Sequence, residues 1–394
     1  MFKGKTGYAY TEKLDEDSVH YLLDHAAENA LLIEDDPEEL FTDTATYEQK
    51  QFYTADLETV SAEDKISFIK EVEEKIYAYD PRVKKVMYAV IQDQTIEKAL
   101  FHNKGLSLNE KNNFLMIGAT LLVEEAGETK SGFYSKITKD FATLDAGVIA
   151  KEVVEKGLSF LGGKSYPNKN YPVLLKNTAA ASLLATFVPA FSARVVQDDQ
   201  SRLKDQLGRV IAADCLTLID DPFLADGIRS STFDAEGVPT KKRTVVKQGE
   251  LTTFFHNLKT AMKDSVQSTG HASRESYKGT IDVQASNLFV EPTDQSYEQL
   301  YAGMEEGIII TDLAGLHSGA NQISGEFSLA ADGYYVKEGE VVGPVKQMTV
   351  AGNFFEVIKD VEQIGEDLDF SSMDAYGYIG SPSLKIKSLA ITVD

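Results

Sequence analysis

Hydrophobic residues recur at helical spacing in three stretches of the first half of the chain. The acidic residues 15–17 precede the first stretch and predict an amphipathic helix behind them. Ser61 begins a Ser-Ala-Glu-Asp capping box, which predicts a second helix through about Ala78. Ala146–Leu161 repeats the spacing and ends at two glycines, a common helix stop. Ahead of all three helices, Phe2–Tyr10 has the pattern of a glycine-punctuated strand.

The chain between the second and third helices has the composition of β-structure and predicts two β-hairpins. In the first hairpin, Val86–Gln92 and Lys98–Asn103 flank a turn of Asp, Gln and Thr. In the second, Phe114–Glu124 and Ser131–Thr138 flank a Glu-Ala-Gly-Glu turn. The acidic segment before the second helix, Asp35–Thr59, has little periodicity and is interpreted as a surface connection.

The second half of the chain alternates short apolar runs with turn residues. An apolar helix begins at Thr178, and beyond it short strands are interrupted by three short helices. Two dipeptides, Asp332-Gly333 and Glu338-Gly339, have the composition of tight turns. The predicted strands are Val173–Lys176, Thr244–Lys247, Gly249-Glu250, Ile281–Val290, Ile308–Asp312, Tyr334–Lys337 and Leu384–Val393. The predicted short helices are Thr253–Met262, Ser296–Gly303 and Phe354–Ile364.

These elements predict an α+β protein. We expect an α/β N-terminal domain, followed by a C-terminal domain with a large antiparallel sheet or a partly closed barrel. A proline-bounded linker, Pro167–Pro172, marks the main domain boundary. The predicted domains are residues 1–60, with a strand and a helix; residues 61–166, a middle α+β domain; and residues 171–394, a β-rich C-terminal domain.

Charge and cysteine content indicate which classes of partner and which cellular compartment to expect. The chain of 394 residues carries a formal charge of −23, and so acidic a surface repels phosphate backbones. Its apolar runs fall short of the roughly 20 residues that span a bilayer, and the N-terminus lacks a signal-peptide core. The single cysteine, Cys215, excludes an internal disulfide framework and suits a reducing compartment. We therefore expect a cytoplasmic protein that binds neither nucleic acid nor membrane.

The residues alone contain no complete catalytic or metal-binding motif. Gly157 and the later Gly163-Lys164-Ser165 resemble a phosphate loop, but the spacing is too long and the segment follows a helix. None of the six histidines has the neighbouring glutamate of a zinc peptidase motif, and no G-x-S-x-G elbow occurs. His271 lies near two hydroxyl residues in Thr269–Arg274, which leaves a metal-free hydrolase as one hypothesis.

An ordered series of short motifs covers the second half of the chain. The motifs are Asp220-Asp221-Pro222, Phe233–Thr240, Gly249-Glu250-Leu251, Ser268–Arg274, Ser286-Asn287-Leu288, Gly315–Asn321, Gly325–Ser328 and Pro382-Ser383-Leu384. In order and spacing this series resembles the TldD/PmbA family, which also carries the older label modulator of DNA gyrase. A weaker likeness at Gly4–Ala9 extends the resemblance over the whole chain.

The resemblance implies one of two kinds of chain. The TldD kind looks like a zinc peptidase, with an H-E-x-x-x-H motif on a helix and a cysteine near the C-terminus. The PmbA or TldE kind lacks this motif and pairs with a chain of the TldD kind. On the equivalent helix, Thr178–Ala193, the histidine positions fall on Ala185 and Ala190 and the glutamate position on Thr186. Alanine cannot coordinate zinc, and threonine cannot activate a metal-bound water. The catalytic kind has its cysteine in the segment equivalent to Glu366–Ser383, and this segment contains none.

The resemblance therefore implies a non-catalytic PmbA/TldE-like subunit of a zinc metallopeptidase that processes or degrades peptides and unfolded small proteins. We expect no catalytic residue and no cofactor in this chain, and zinc in a TldD-like partner subunit. The alternative is a stand-alone homodimeric peptide-binding or scaffold protein without peptidase activity. An extended peptide can join a sheet edge through main-chain hydrogen bonds. The candidate peptide contacts, each of which could instead be a turn or capping residue, are His271, Ser273, Arg274, Asn287 and Asn321.

Two further expectations follow from the resemblance. Family members usually begin a few dozen residues earlier, with a helix and strands before the segment that matches Gly4–Tyr10. Residues 1–60 are therefore expected to be the remnant of an N-terminal α/β domain in a truncated chain. The gyrase label fits poorly with the charge of −23, so direct DNA binding is not expected.

Overall fold

The computed structural model describes residues 2–32, 45–374 and 377–393. The helices in these ranges are α1 Glu16–Leu32, α2 Ala55–Thr59, α3 Ala62–Tyr79, α4 Ala146–Ser159, α5 Asn177–Phe187, α6 Ala193–Gln197, α7 Leu258–Lys263, α8 Tyr297–Ala302, α9 Leu316–Gly319 and α10 Phe354–Val357. The strands of the first half are β1 Val83–His102, β2 Leu106–Glu125, β3 Glu128–Thr138 and β4 Lys169–Leu175. The later strands are β5 Leu218–Asp220, β6 Arg243–Lys247, β7 Glu250–Leu251, β8 Ala272–Ser273, β9 Asp282–Val283, β10 Asn287–Val290, β11 Glu306–Ala314, β12 Glu326–Lys337, β13 Glu340–Pro344, β14 Met348–Asn353, β15 Val361–Ile364, β16 Asp369–Asp374, β17 Gly377–Ser381 and β18 Leu384–Val393.

The central part of the chain is an antiparallel sheet, β1-β2-β3, covered by α3 and α4. Helix α3 begins as predicted, because the Ser61 hydroxyl accepts a hydrogen bond from the Asp64 N–H at 3.1 Å. Apolar residues of α4 pack with the inward residues of β2, among them Ile149, Val153 and Leu121. The two long strands extend beyond this core toward the C-terminal part of the chain.

The first predicted hairpin is wrong. Strand β1 runs without interruption through Asp93, which lies opposite Leu115 in a ladder that continues to His102. The turn falls instead after His102, where Gly105 has a φ of 98° that favours glycine. The second predicted hairpin, β2-β3, is confirmed.

The C-terminal part combines a closed barrel with a second sheet. Strands β11, β4, β18, β14 and β12 pair in that order, and β12 pairs again with β11, so five strands close a barrel. A six-stranded sheet, β16-β17-β10-β5-β6-β7, lies beside it. Only the β11–β4 pair within the barrel is parallel. The predicted α+β class with a sheet and barrel in the C-terminal part is confirmed.

Helix α5 lies in the core of the C-terminal part. It contacts β16 and β17 of the second sheet on one side and β11 of the barrel on the other. Its sequence is mostly Ala, Leu and Phe, and eight of its eleven residues are buried. The Phe187 ring at its end stacks on Phe354 with the ring centroids 4.6 Å apart. This helix therefore joins the two sheets through an apolar interface.

Several predicted elements differ in the structure. Phe2–Tyr10 forms only an isolated bridge from Phe2 to Lys5, and the predicted strand Ile281–Val290 divides into β9 and β10. The predicted helix Phe354–Ile364 ends after one turn and continues as β15. Part of the predicted connection Asp35–Thr59 lies outside the described residues, and its end forms α2.

The predicted turn at Asp332-Gly333 is also wrong, because both residues lie inside β12. A Cβ atom on Gly333 would approach the Ile309 carbonyl oxygen to 1.9 Å, so this glycine allows two barrel strands to come close. The Glu338-Gly339 turn is confirmed between β12 and β13. Across the described ranges, every helix is too short or too polar to cross a bilayer.

Candidate functional site

A cavity of about 750 Å³ lies where the outer half of β1 and β2 meets the loops of the C-terminal part. The strands contribute Ile96 to Leu100 and Glu110 to its wall. The C-terminal loops contribute Ile228 to Ser231 and Gly270 to Arg274. The polar residues of two sequence-distant regions therefore meet around one space, which is where binding sites commonly form.

His271 forms part of the cavity wall and is held on both ring nitrogens. Its Nε2 lies 3.1 Å from Asp220 Oδ2, and its Nδ1 lies 2.8 Å from Thr269 Oγ1. Asp220 also accepts hydrogen bonds from the Ser286 N–H at 2.8 Å and hydroxyl at 2.5 Å. The Phe255 ring covers the imidazole, with the ring centroids 4.4 Å apart. The imidazole is thus fixed in position within a buried network.

This network does not resemble a nucleophile with its base. The hydroxyl next to His271 belongs to Thr269, which is buried and is itself hydrogen-bonded to the backbone of His256. A nucleophile has to reach a substrate in the cavity while its base accepts the proton. The geometry therefore favours a bracing role for His271 over the metal-free hydrolase hypothesis.

Two carboxyl groups behind the His271 strand have raised pKa values. Asp234 accepts three backbone hydrogen bonds, from Glu236, Val238 and Ala272, yet burial raises its pKa. Burial also raises the pKa of Glu236 to about 7, although its carboxylate accepts a 2.7 Å hydrogen bond from the Leu258 N–H. These bonds tie the loop before β6 to β8 and to the start of α7.

Lys98, which the sequence patterns did not indicate, also lies at the cavity wall. Its ammonium donates to Ser231 Oγ at 2.5 Å and to the Phe233 carbonyl at 3.2 Å, and Glu110 Oε1 lies 3.4 Å away. Burial lowers the pKa of Lys98, while the charge of Glu110 opposes that shift. The Glu110 carboxylate in turn accepts a 2.7 Å hydrogen bond from the Thr232 N–H. These contacts bridge β1 and β2 to the C-terminal part.

Ser273 and Arg274 follow His271 along the wall. The Ser273 hydroxyl donates to Gln284 Oε1 at 2.8 Å, across the β8–β9 pair. The Arg274 guanidinium lies over the Tyr8 ring, 4.4 Å from its centroid. The ring of Tyr10 packs on that of Tyr277, so the segment before α1 crosses this edge of the cavity. The structure thus brings three predicted contacts, His271, Ser273 and Arg274, to one cavity.

The other two predicted contacts lie elsewhere. Asn287 is fully buried, and its amide donates to the Asp221 carbonyl at 2.7 Å and to Ser230 Oγ at 3.1 Å. This arrangement favours the structural interpretation that the sequence left open. Asn321 is exposed away from the cavity, where its side chain accepts two backbone hydrogen bonds of its own loop. A peptide contact by either residue stays a prediction.

The helix positions that the resemblance assigned to zinc ligands do not fit a metal. Ala185 and Ala190 are 1% and 2% exposed in the apolar core, and Thr186 donates its hydroxyl hydrogen bond to the Ser182 carbonyl. None of these side chains supplies a zinc ligand. Within the described ranges there is no cluster of three His, Cys, Asp or Glu that could hold a metal ion. Cys215 lies at another surface, with its Sγ 3.6 Å from the Val361 carbonyl oxygen.

Comparison with known proteins identifies the family. Residues 55–161 match the PmbA/TldA metallopeptidase central domain, and residues 168–393 match the PmbA/TldA metallopeptidase C-terminal domain. The metalloprotease PmbA of Escherichia coli O157:H7 is 29% identical over 271 residues, which are 68% of this chain and 58% of that protein. The chain thus spans less than two thirds of this relative.

Two solved structures share the fold over nearly the whole chain. One is described as a putative modulator of a DNA gyrase from Thermotoga maritima, with a TM-score of 0.90 and 31% identity, covering 99% of this chain and 87% of that one. The other is TldE from Thermococcus kodakarensis, with a TM-score of 0.87 and 22% identity, covering 98% and 87%. The chain therefore belongs to the PmbA/TldD metallopeptidase family.

Proposed function

We propose that this chain is a non-catalytic, PmbA/TldE-like subunit of a two-component zinc metallopeptidase. The observation that carries the proposal is the composition of α5 and the turn that follows it. Ala185, Thr186 and Ala190 stand where the catalytic kind of chain has its motif, and they pack among apolar side chains. No water can be activated by zinc there, because no side chain at these positions binds the metal.

The partner in this proposal is a TldD-like chain that carries the zinc and the activated water. The substrates are peptides and unfolded small proteins held in an extended conformation. An extended chain can be held through main-chain hydrogen bonds to a strand edge, while side-chain contacts set the preference. The cavity that His271, Ser273 and Arg274 line supplies such contacts on this subunit.

Direct DNA binding is not part of the proposal. The description as a putative modulator of a DNA gyrase belongs to the similar protein from Thermotoga maritima. This chain carries 62 acidic against 39 basic residues, and nucleic-acid affinity depends on Lys and Arg contacts to phosphates.

The test is to co-express the tagged chain with the H-E-x-x-x-H paralogue of its own genome. The proposal predicts near-equimolar co-purification, zinc in proportion to the paralogue, and peptidase activity that the chain alone lacks. A matched control is the same paralogue with its motif glutamate replaced by glutamine, which should co-purify without activity.

The opposite outcome favours the stand-alone homodimer. In that case the chain would elute by itself as a dimer, and adding it would not change the paralogue's zinc content or peptidase rate. Such a result would contradict the subunit proposal.

A further inference from the structure

Arg274 is a cation whose hydrogen-bonding groups are left available beside the cavity. Its guanidinium stacks on Tyr8, which covers a face of the group. Among the described residues, no carboxylate forms an ion pair with Arg274 and no acceptor takes a hydrogen bond from its side chain. A guanidinium has five N–H donors in a planar fork that matches a carboxylate.

The buried carboxyl groups of this region already accept hydrogen bonds from other groups. Asp234 accepts three backbone hydrogen bonds, and Asp220 is bonded to His271 and Ser286. Glu236 accepts a hydrogen bond from the Leu258 N–H at the start of α7. The charge of Arg274 lowers the pKa of Glu236, against the larger effect of burial. The chain as a whole carries −23, yet within the described ranges Arg274 has no carboxylate as an ion-pair partner.

The opposite wall of the cavity carries an ion pair, Lys98 with Glu110. Lys98 is held there by Ser231 and Phe233 and is paired with Glu110, whose carboxylate balances its charge. Ser273 and Ser276 add hydroxyl groups to the same wall as Arg274. The cavity therefore combines one available guanidinium with further polar groups, a combination suited to an anionic organic ligand.

We propose that this cavity binds a peptide segment bearing a carboxylate, with the guanidinium of Arg274 as its anchor. The inference rests on the proposed function, because it takes peptides as the ligands. The carboxylate has two possible sources, the free C-terminus of the peptide or an acidic side chain within it. Both present the same two oxygens to the planar fork, so the chemistry is shared and peptide design separates the sources.

The experiment measures the fluorescence anisotropy of four extended peptides of about ten residues as the full chain is added, each peptide carrying an uncharged fluorophore without a carboxylate at its N-terminus. The peptides combine a free or amidated C-terminus with a central Glu or Gln. Arg274→Gln should weaken binding of the carboxylate-bearing peptides about tenfold, as expected for one charge-assisted contact, and leave the amidated Gln peptide unchanged. Arg274→Lys should recover part of the loss, since it keeps the charge without the fork.

The comparison among peptides identifies the source. A loss on amidation assigns the terminus, and a loss on Glu→Gln within the peptide assigns the side chain; either result supports the proposal. The matched control is Arg202→Gln, which removes another arginine stacked on an aromatic ring, 5.3 Å from the Phe355 centroid and outside the cavity. Circular dichroism and a thermal melt of each variant establish that it is folded.

Equal affinity of Arg274→Gln and the unaltered chain for all four peptides would overturn the proposal, and so would the absence of binding by the unaltered chain. Capture of the zinc-bearing paralogue is measured separately and needs no peptide. The subunit proposal and the carboxylate site can therefore fail independently.

Discussion

Helix α5 and the cavity beside β8 belong to the same C-terminal part but are built from opposite kinds of residue. The helix presents alanine, leucine and phenylalanine to the core, with Ala185 on the helix and Ala190 in the turn after it at the positions expected for ligands. The cavity gathers Lys98, His271 and Arg274 with buried carboxyl groups. The comparison shows that one fold can fill the α5 positions with apolar side chains and still gather polar and charged side chains at the cavity beside β8.

The largest effect should come from breaking the buried network behind the cavity. The side chains of Asp220 and His271 are 1% and 3% exposed, so Asp220→Ala leaves the imidazole and the Ser286 donors without their acceptor. Each buried donor left without an acceptor costs about 1–3 kcal/mol, so losing the acceptor of these three hydrogen bonds should cost about 3 kcal/mol or more. Urea unfolding followed by circular dichroism measures the loss.

The control is Asp198→Ala, which removes an exposed carboxylate just after α6, 3.5 Å from the Arg194 guanidinium, and should cost less than about 0.5 kcal/mol. If Asp220→Ala does not fold, Asp220→Asn gives a smaller loss because it keeps one acceptor. Equal midpoints for the Asp220 and Asp198 variants would mean that the network contributes no stability.

The second prediction tests whether apolar packing around Ala185 leaves no room for a metal ligand. Ala185→His inserts an imidazole into the apolar core and should lower the free energy of unfolding by about 1–3 kcal/mol. Added zinc should not restore it, because Thr186 and Ala190 supply no further ligand. Ala78→His on the exposed face of α3 is the control and should cost less than about 0.7 kcal/mol. A zinc-dependent rise in stability of the Ala185 variant would contradict this description.

Local signals in the sequence were enough for elements whose determinants are local. The Ser61 cap and the apolar spacing of Ala146–Leu161 predicted α3 and α4 within two residues. The polar run around Asp93 was misread as a turn, because the outer half of β1 is exposed and polar residues are tolerated there. The turn predicted at Gly333 was wrong for a different reason. A glycine is needed there because the backbone of β11, which is distant in sequence, passes close to it.

The candidate site was only partly predictable for the same reason. The resemblance pointed to His271, Ser273 and Arg274, which the structure brings to the cavity wall. Lys98 was missed, because its partner Ser231 lies 133 residues away and no pattern within a strand reports such a pairing. Asn287 carried the same kind of motif signal, yet its burial makes it a brace.

The third prediction uses the pH dependence of the buried carboxyl groups. Burial raises the pKa of Glu236 from 4.5 to about 7, so the folded state holds this proton more tightly than the unfolded state. The free energy of unfolding therefore falls as pH rises through this window. Glu236→Gln keeps an acceptor for the Leu258 N–H but cannot ionise, and it should flatten the fall by about 1–3 kcal/mol.

The measurement is urea unfolding at several pH values between about 4.5 and 7.5, the window set by this pKa shift. Part of the dependence should remain, because burial also raises the pKa of Asp234. The control is Glu298→Gln on the exposed face of α8, which should leave the slope unchanged. Parallel curves for the Glu236 variant and the unaltered chain would place its carboxyl in a more polar environment than the structure shows.

The smallest effect should come from the ring that covers Arg274. Tyr8→Ala removes a stacking contact worth about 0.5–1 kcal/mol, so carboxylate peptides should bind about two- to fivefold more weakly while the amidated Gln peptide is unaffected. Tyr8→Phe keeps the ring and serves as the matched control, with affinity expected near that of the unaltered chain. Because Tyr8 orients Arg274 and does not replace it, its loss in the Arg274→Gln background should have no further effect. An additive loss there would mean that Tyr8 contacts the peptide itself, and that the polar site extends onto the segment before α1.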